Sequence, residues 1–162
     1  MKNSIIFLVA MALATTSCQQ ENVTPEQAVS TPATSPIQAA EGTTIVIPTG
    51  VNENLVTAAR NLTNALNAGN ETESAKAFTE NAIFDSVGRI YNGRNDIMGR
   101  FLTPEVIRAR GRYTETRITG NATNPNIVRI EYDFRTGSYS EKFYYEYTIQ
   151  NGLITNVLGR YI

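Results

Sequence analysis

Histidine and tryptophan are absent from the 162 residues of this chain, and cysteine occurs once, as Cys18. Without histidine, neither a Ser-His-Asp nor a Cys-His catalytic unit is available. A zinc site built from cysteine and histidine ligands is excluded in the same way. We therefore predict no metal site and no cofactor. Proton transfer near neutral pH would depend on Asp, Glu, Tyr or Lys with a shifted pKa.

An excess of basic residues is also lacking. The chain has 14 Lys and Arg against 15 Asp and Glu, which gives a formal net charge of -1. Proteins that bind the phosphate backbone of nucleic acids normally need a strongly basic surface. The composition therefore predicts no nucleic-acid partner.

Residues 1–17 have the pattern of an export signal. Lys2 is followed by an uninterrupted apolar run over 5–14, which is shorter than the roughly 20 residues that span a bilayer. Cys18 comes directly after a small residue and resembles the bacterial lipobox cysteine, although Thr15 stands where that motif usually has Leu. Cleavage at the A-L-A sequence of 12–14 is the alternative. We expect lipidation at Cys18 and anchoring to a membrane of the bacterial cell envelope, inner or outer.

Residues 18–42 are predicted to be a disordered, lipid-anchored tether. The segment holds few large apolar residues and three of the six prolines. Such a composition cannot bury enough apolar surface to offset the entropy of ordering. The remaining residues, 43–162, are predicted to form one domain.

Apolar periodicity within 43–162 changes from helical to alternating. A helix is predicted from Asn52 or Asn54 to Gly69, a second from Asn70 with Phe78 on its apolar face, and a third from Gly93. Strands are predicted over 82–85, 89–91, 112–121, 126–135, 140–150 and 153–161, with an Asn-Gly hairpin at 151–152. The run 43–47 is either an added edge strand or a lead-in to the first helix. This order indicates an α+β fold.

Four segments resemble motifs of the nuclear-transport-factor-2-like (SnoaL-like) family in the family's order. They are L-N-A-G-N at 66–70, F-T-E-N-A-I-F at 78–84, Y-N-G-R-N-D-I at 91–97 and N-G-L-I at 151–154. The resemblance implies a cone-shaped roll, in which a curved, mostly antiparallel sheet wraps around a long N-terminal helix beside two shorter helices. It does not imply one activity, because this fold hosts many.

The resemblance also implies a ligand pocket inside the cone. Alternation in the strand 126–135 places Val128, Ile130, Tyr132 and Phe134 on one face and charged residues on the other. The apolar face should be concave, and the charged convex face could serve in a homodimer. The residues that we expect to line the pocket for an unknown small ligand are Leu62, Phe84, Tyr91, Tyr132, Phe134, Tyr145 and Tyr147.

Asp85 is the candidate catalytic residue. In F-D-S-V-G it falls on the position of the general base in the ketosteroid isomerases that the segment resembles. Leu62 stands where those enzymes have a pocket tyrosine, so Tyr145, Tyr132 or Tyr91 would have to supply the oxyanion donor. The alternative is an aspartate that hydrogen-bonds to the following turn.

Two classes of function follow from this. One is a tethered binding or accessory domain for a small apolar or carbonyl-containing ligand. The other is a small isomerase-, cyclase- or dehydratase-type enzyme in which burial raises the pKa of Asp85.

Overall fold

A computed structural model describes residues 45–162. The predicted signal peptide, Cys18 and tether lie outside the described residues. Of the run 43–47, the described residues 45–47 are not part of a strand, whereas 43 and 44 lie outside the described residues. Ile45 and Ile47 instead pack partly against the core, and the carbonyl of Ile45 accepts a hydrogen bond from Arg60 at 3.0 Å.

The first two helices begin at asparagine caps. Helix α1 spans Glu53–Asn67, and the Asn52 side chain accepts from the Asn54 amide at 3.0 Å. Helix α2 spans Glu71–Lys76, and Asn70 caps it in the same way. The prediction that Phe78 belongs to this helix is wrong. Phe78 is the first residue of a strand, where its ring is fully buried.

The third helical segment is wider than an α-helix. A short helix, α3 (Arg94–Asp96), continues directly into a π-helix over Ile97–Ile107. Its end shows the wider spacing, because the amide of Arg108 bonds to the carbonyl of Thr103 at 2.9 Å. Such a segment shifts the side chains away from the 3.6-residue period.

Six strands form one sheet in the order β2-β1-β6-β5-β4-β3. Neighbouring strands are antiparallel except β1 and β6, which are parallel. Both residues of the Asn151-Gly152 turn have positive φ, as a type I′ hairpin requires, which confirms that predicted turn. The strands are β1 (Phe78–Ser86), β2 (Arg89–Asn92), β3 (Arg112–Gly120), β4 (Ile127–Thr136), β5 (Tyr139–Gln150) and β6 (Leu153–Tyr161).

One face of the sheet packs on α1 and the π-helix. In β4 the buried residues are Val128, Ile130, Tyr132 and Phe134, which confirms the predicted register. The α+β prediction, with a mostly antiparallel sheet around a long first helix, is likewise confirmed. The described residues bury one hydrophobic core cluster. Among them, no helix has both the length and the apolar character needed to cross a bilayer.

Candidate functional site

A cavity of about 250 Å³ opens between the π-helix and one end of the sheet. It lies where β1, β4 and β6 end and where β3 and β5 begin. Its inner wall is apolar and aromatic, whereas its mouth is mixed. The lining residues are Ser86, Val87, Arg89, Phe101, Glu105, Val106, Tyr113, Phe134, Thr136, Tyr139, Glu141, Phe143, Tyr145 and Tyr161.

Two glycines leave room for the rings that form the wall. A Cβ on Gly159 would lie 2.7 Å from the ring of Tyr145, and one on Gly111 would lie 2.6 Å from the ring of Phe134. Real Cβ atoms do not approach so closely, because packed interiors cannot absorb such overlap. The positions of the Tyr145 and Phe134 rings in the cavity wall therefore depend on Gly159 and Gly111 having no side chain.

Tyr113 and Tyr145 are the hydrogen-bonding groups of the inner wall. Their ring centroids are 6.2 Å apart, and both side chains are almost fully buried. Burial raises the pKa of Tyr145 well above its ordinary value, and the charge and hydroxyl of Tyr113 add to the rise. Burial also raises the pKa of Tyr113, although interaction with the Tyr145 hydroxyl opposes it. Both hydroxyls therefore keep their protons at neutral pH.

No hydrogen bond joins these two hydroxyls: within the described residues, the tyrosine hydroxyls that lie within hydrogen-bonding distance of each other are those of Tyr132 and Tyr147. The Tyr113 and Tyr145 hydroxyls can therefore each donate a proton to an acceptor in the cavity, such as a carbonyl oxygen. Asn67 of α1 positions Tyr113, because its side chain accepts from the Tyr113 amide at 2.8 Å and donates to the Tyr113 carbonyl at 2.9 Å.

The mouth of the cavity carries a bidentate ion pair. Arg89 at the start of β2 donates two hydrogen bonds to Glu105 of the π-helix, at 2.9 and 2.7 Å. Both side chains are about half exposed, so water screens the pair. Val87, Tyr139 and Tyr161 are exposed at the same mouth.

Of the seven residues expected in the pocket, the cavity is lined by Phe134 and Tyr145. The others belong to the packed core beneath it: Leu62, Phe84, Tyr91, Tyr132 and Tyr147. The hydroxyls of Tyr132 and Tyr147 lie 3.1 Å apart and share one hydrogen bond, and the two side chains fill the inner end of the cone. The space left for a ligand is therefore nearer the open end than expected.

Asp85 is not among the residues that line the cavity, and its contacts are those of the alternative, an aspartate that hydrogen-bonds to the following turn. Its neighbours Phe84 and Ser86 are buried, so alternation directs Asp85 to the convex face. There its carboxylate accepts from Arg160 at 2.8 Å and from the Gly88 amide at 2.6 Å. The hydrogen bond from Arg160, and to a lesser extent that from Gly88, outweighs desolvation and lowers the pKa of Asp85.

Several lining residues were missed in the sequence. Tyr113 lies opposite Phe134 across the β3–β4 ladder, a register that alternation in β3 could have indicated. Phe101 and Val106 are five residues apart on the π-helix, which a search for α-helical periodicity does not detect. In the described part of the chain, no group of Asp and Glu is arranged to hold a metal ion.

Solved structures share this fold. A nuclear-transport-factor-2-like protein of unknown function from Cytophaga hutchinsonii matches with a TM-score of 0.57 at 17% identity, covering 72% of this chain and 95% of its own. A second such protein, from Burkholderia xenovorans, has a TM-score of 0.57 at 18% identity, covering 67% and 83%. The Delta 5-3-ketosteroid isomerase from Mycobacterium sp. has a TM-score of 0.59 at 15% identity, covering 67% and 93%.

The fold is therefore nuclear-transport-factor-2-like (SnoaL-like). At these identities the likeness extends to the fold and not to an activity. No family model matches the sequence, and no curated protein matches it.

Proposed function

We propose that this chain is a membrane-tethered binding protein whose domain holds a small apolar, carbonyl-containing ligand in the cavity. The observation that carries the proposal is the aromatic wall of the cavity, to which Tyr113 and Tyr145 each contribute a hydroxyl-bearing ring. Small-molecule sites combine apolar walls with a small number of placed polar groups, and the surface that lines this cavity is about half apolar and half polar. An accessory role in which the cavity stays unused is the alternative within this class.

The volume of the cavity limits the size of the ligand. At about 250 Å³ it is smaller than the pockets of about 300–1,000 Å³ that enclose drug-sized molecules. It is larger than an engineered apolar cavity of about 150 Å³ in another protein, which is large enough to bind benzene. A one- or two-ring ketone therefore fits better than a four-ring steroid.

The enzyme hypothesis has less support. A general base needs access to the substrate and a pKa near the working pH. Asp85 has neither, because Arg160 and Gly88 hold its carboxylate on the convex face and lower its pKa. The cavity of the described domain thus lacks the base that the resemblance to ketosteroid isomerases implies.

Calorimetric titration with 1-indanone and with its hydrocarbon counterpart, indane, tests the binding proposal. The Tyr145→Phe variant should bind indanone about 3–10-fold more weakly, because one hydrogen bond of about 1 kcal/mol is lost. Its affinity for indane should not change. Tyr144→Phe is the matched control, since Tyr144 lies on the convex face beneath Arg129, whose guanidinium is 3.5 Å from the ring centroid. Equal affinity of wild type and Tyr145→Phe for indanone, or no binding of either probe, would overturn the proposal.

The tether and anchor are proposed from the sequence, on the placement of Cys18 after a short apolar run. Globomycin, which inhibits the lipoprotein signal peptidase, should cause the unprocessed precursor to accumulate. A mature N-terminus at Thr15 would instead identify cleavage after the A-L-A sequence.

A homodimer through the convex face also stays a prediction. That face carries the ion pairs Arg160–Asp85, Arg129–Glu131 and Lys142–Asp133. Sedimentation equilibrium over a range of protein concentrations would measure the association.

A further inference from the structure

Five arginines of the described domain lack an acidic partner, and four of them are exposed. Eight of the described basic side chains lie within 4.0 Å of a carboxylate. Arg94 donates instead to the carbonyl of Phe78 at 3.1 Å. The basic side chains left over, all of them exposed, are Arg108, Arg110, Arg112 and Arg135.

These four arginines, the basic corner, come together at one end of the sheet. Three of them belong to the R-A-R-G-R sequence that joins the π-helix to β3. Arg135, near the end of β4, lies directly opposite Arg112 in the β3–β4 ladder. The hydroxyl of Thr136 donates to the carbonyl of Ala109 at 2.7 Å, which fixes the connecting segment against the β4–β5 turn.

This arrangement costs stability. Like charges directly opposite one another in antiparallel strands are destabilising, and Arg112 and Arg135 form such a pair. Two acids, Asp133 and Glu141, share a surface hollow with Arg135, but no ion pair within 4.0 Å joins them to a corner arginine of the described domain, and Asp133 is paired with Lys142 at 3.6 Å. An anionic partner would remove the repulsion.

We infer that the basic corner docks on an anionic phospholipid surface. Arginines near such a surface each contribute to binding by attraction to the headgroups. The whole-chain charge of -1 conceals this patch, because most basic residues elsewhere in the domain are neutralised by ion pairs.

Exposed apolar side chains beside the corner favour a bilayer over an anionic polymer. Tyr139, which pairs with Thr136 across the β4–β5 turn, is 53% exposed. Tyr161 and Ile162 at the adjoining end of β6 are 55% and 65% exposed. Tyrosine rings are enriched at membrane interfaces, since one end of the ring is apolar and the other can remain hydrated.

Docking in this orientation would place the mouth of the cavity at the membrane, because Tyr139 and Tyr161 also line the cavity. An apolar ligand could then pass from the bilayer into the protein without crossing water. The docking itself depends neither on ligand binding nor on lipidation of Cys18.

Vesicle co-sedimentation of residues 19–162 tests the inference. This form lacks Cys18 and the apolar run, so neither contributes to binding, and it retains every residue of the described core. It should bind vesicles containing phosphatidylglycerol, bind pure phosphatidylcholine vesicles far less, and dissociate as salt shortens the range of charge interactions. The double variant Arg112→Gln, Arg135→Gln should bind about 25-fold more weakly, from roughly a fivefold loss per arginine.

The matched control is Arg100→Gln, Arg117→Gln, which removes the same charge from exposed side chains elsewhere. It should bind like wild type. The corner variant should melt no lower than wild type, because it relieves the Arg112–Arg135 repulsion, so weaker binding cannot come from unfolding. Equal binding to neutral vesicles, equal losses in both double variants, or binding to nucleic acid or acidic polysaccharide but not to vesicles would overturn the inference.

Discussion

The carboxylate of Asp85 is held by a guanidinium and a backbone amide on the convex side of the sheet. Asp85→Asn should therefore lower the free energy of unfolding by roughly 0.5–1 kcal/mol and leave indanone affinity unchanged. Chemical denaturation and calorimetry measure the two effects. Loss of ligand affinity without loss of stability would restore the general-base hypothesis.

The same contacts give a pH dependence with a defined sign. Since the folded-state pKa of Asp85 is lowered, its contribution to stability is complete above the unfolded pKa of about 3.9. The contribution is lost as the pH falls through the lower folded-state pKa. The difference in stability between wild type and Asp85→Asn should therefore begin to shrink as the pH falls below about 4.

Gly159 is required by the position of the Tyr145 ring. In Gly159→Ala the new methyl group would lie 2.7 Å from that ring, so the ring must move. We expect a loss of about 1–3 kcal/mol in unfolding free energy and weaker indanone binding. Gly99→Ala is the control, because no atom lies within 4 Å of a Cβ at that exposed helical position. A Gly159→Ala protein as stable as the control variant would contradict the close packing described for Tyr145.

At the scale of elements, Asn67 connects α1 to β3. Asn67→Ala removes both hydrogen bonds to the Tyr113 backbone and should cost about 1–3 kcal/mol of stability. Asn64→Ala is the matched control in the same helix, where the side chain is exposed. Thermal denaturation compares the two variants, and equal melting temperatures would show that the connection contributes nothing. Indanone affinity should also fall in Asn67→Ala, since Tyr113 lines the cavity.

Over the whole molecule, four tyrosines are buried in one cluster: Tyr113, Tyr132, Tyr145 and Tyr147. Burial raises the pKa of each of them above its ordinary value. The unfolded chain loses these protons near pH 10, whereas the folded chain keeps them. The free energy of unfolding should therefore be unaffected below about pH 10 and fall as the pH rises further.

Absorbance at 295 nm, recorded together with circular dichroism, checks this prediction. The buried tyrosines should ionise only as the fold is lost, in a step separate from the exposed ones. A variant with Tyr113→Phe and Tyr145→Phe should unfold at a higher pH. Ionisation of all tyrosines in one step near pH 10, with the fold intact, would show that the cluster is accessible to water.

Much of the architecture could be predicted from the sequence because it depends on local signals. The asparagine caps at Asn52 and Asn70, the Asn151-Gly152 turn and the alternation in β4 each identify an element without reference to its neighbours. Phe78 was assigned to the wrong element because an apolar residue at a boundary fits either periodicity.

The site was harder to predict than the architecture. One error was avoidable, namely the placing of both Phe84 and Asp85 at the pocket. Phe84 and Asp85 are adjacent in a strand, so they cannot face the same cavity.

The sequence by itself determined the order of helices and strands, the apolar face of the sheet and the lack of histidine chemistry. Only the tertiary structure decided where space remains inside the fold. That space depends on how much of the cone the side chains of Tyr132 and Tyr147 fill. It also depends on the close contact between Gly159 and the Tyr145 ring. The tertiary structure also decided which charges are neutralised. Arg160, for example, forms an ion pair with Asp85, which lies 75 positions away in the chain. Such contacts arise from packing between distant segments, which local periodicity does not encode.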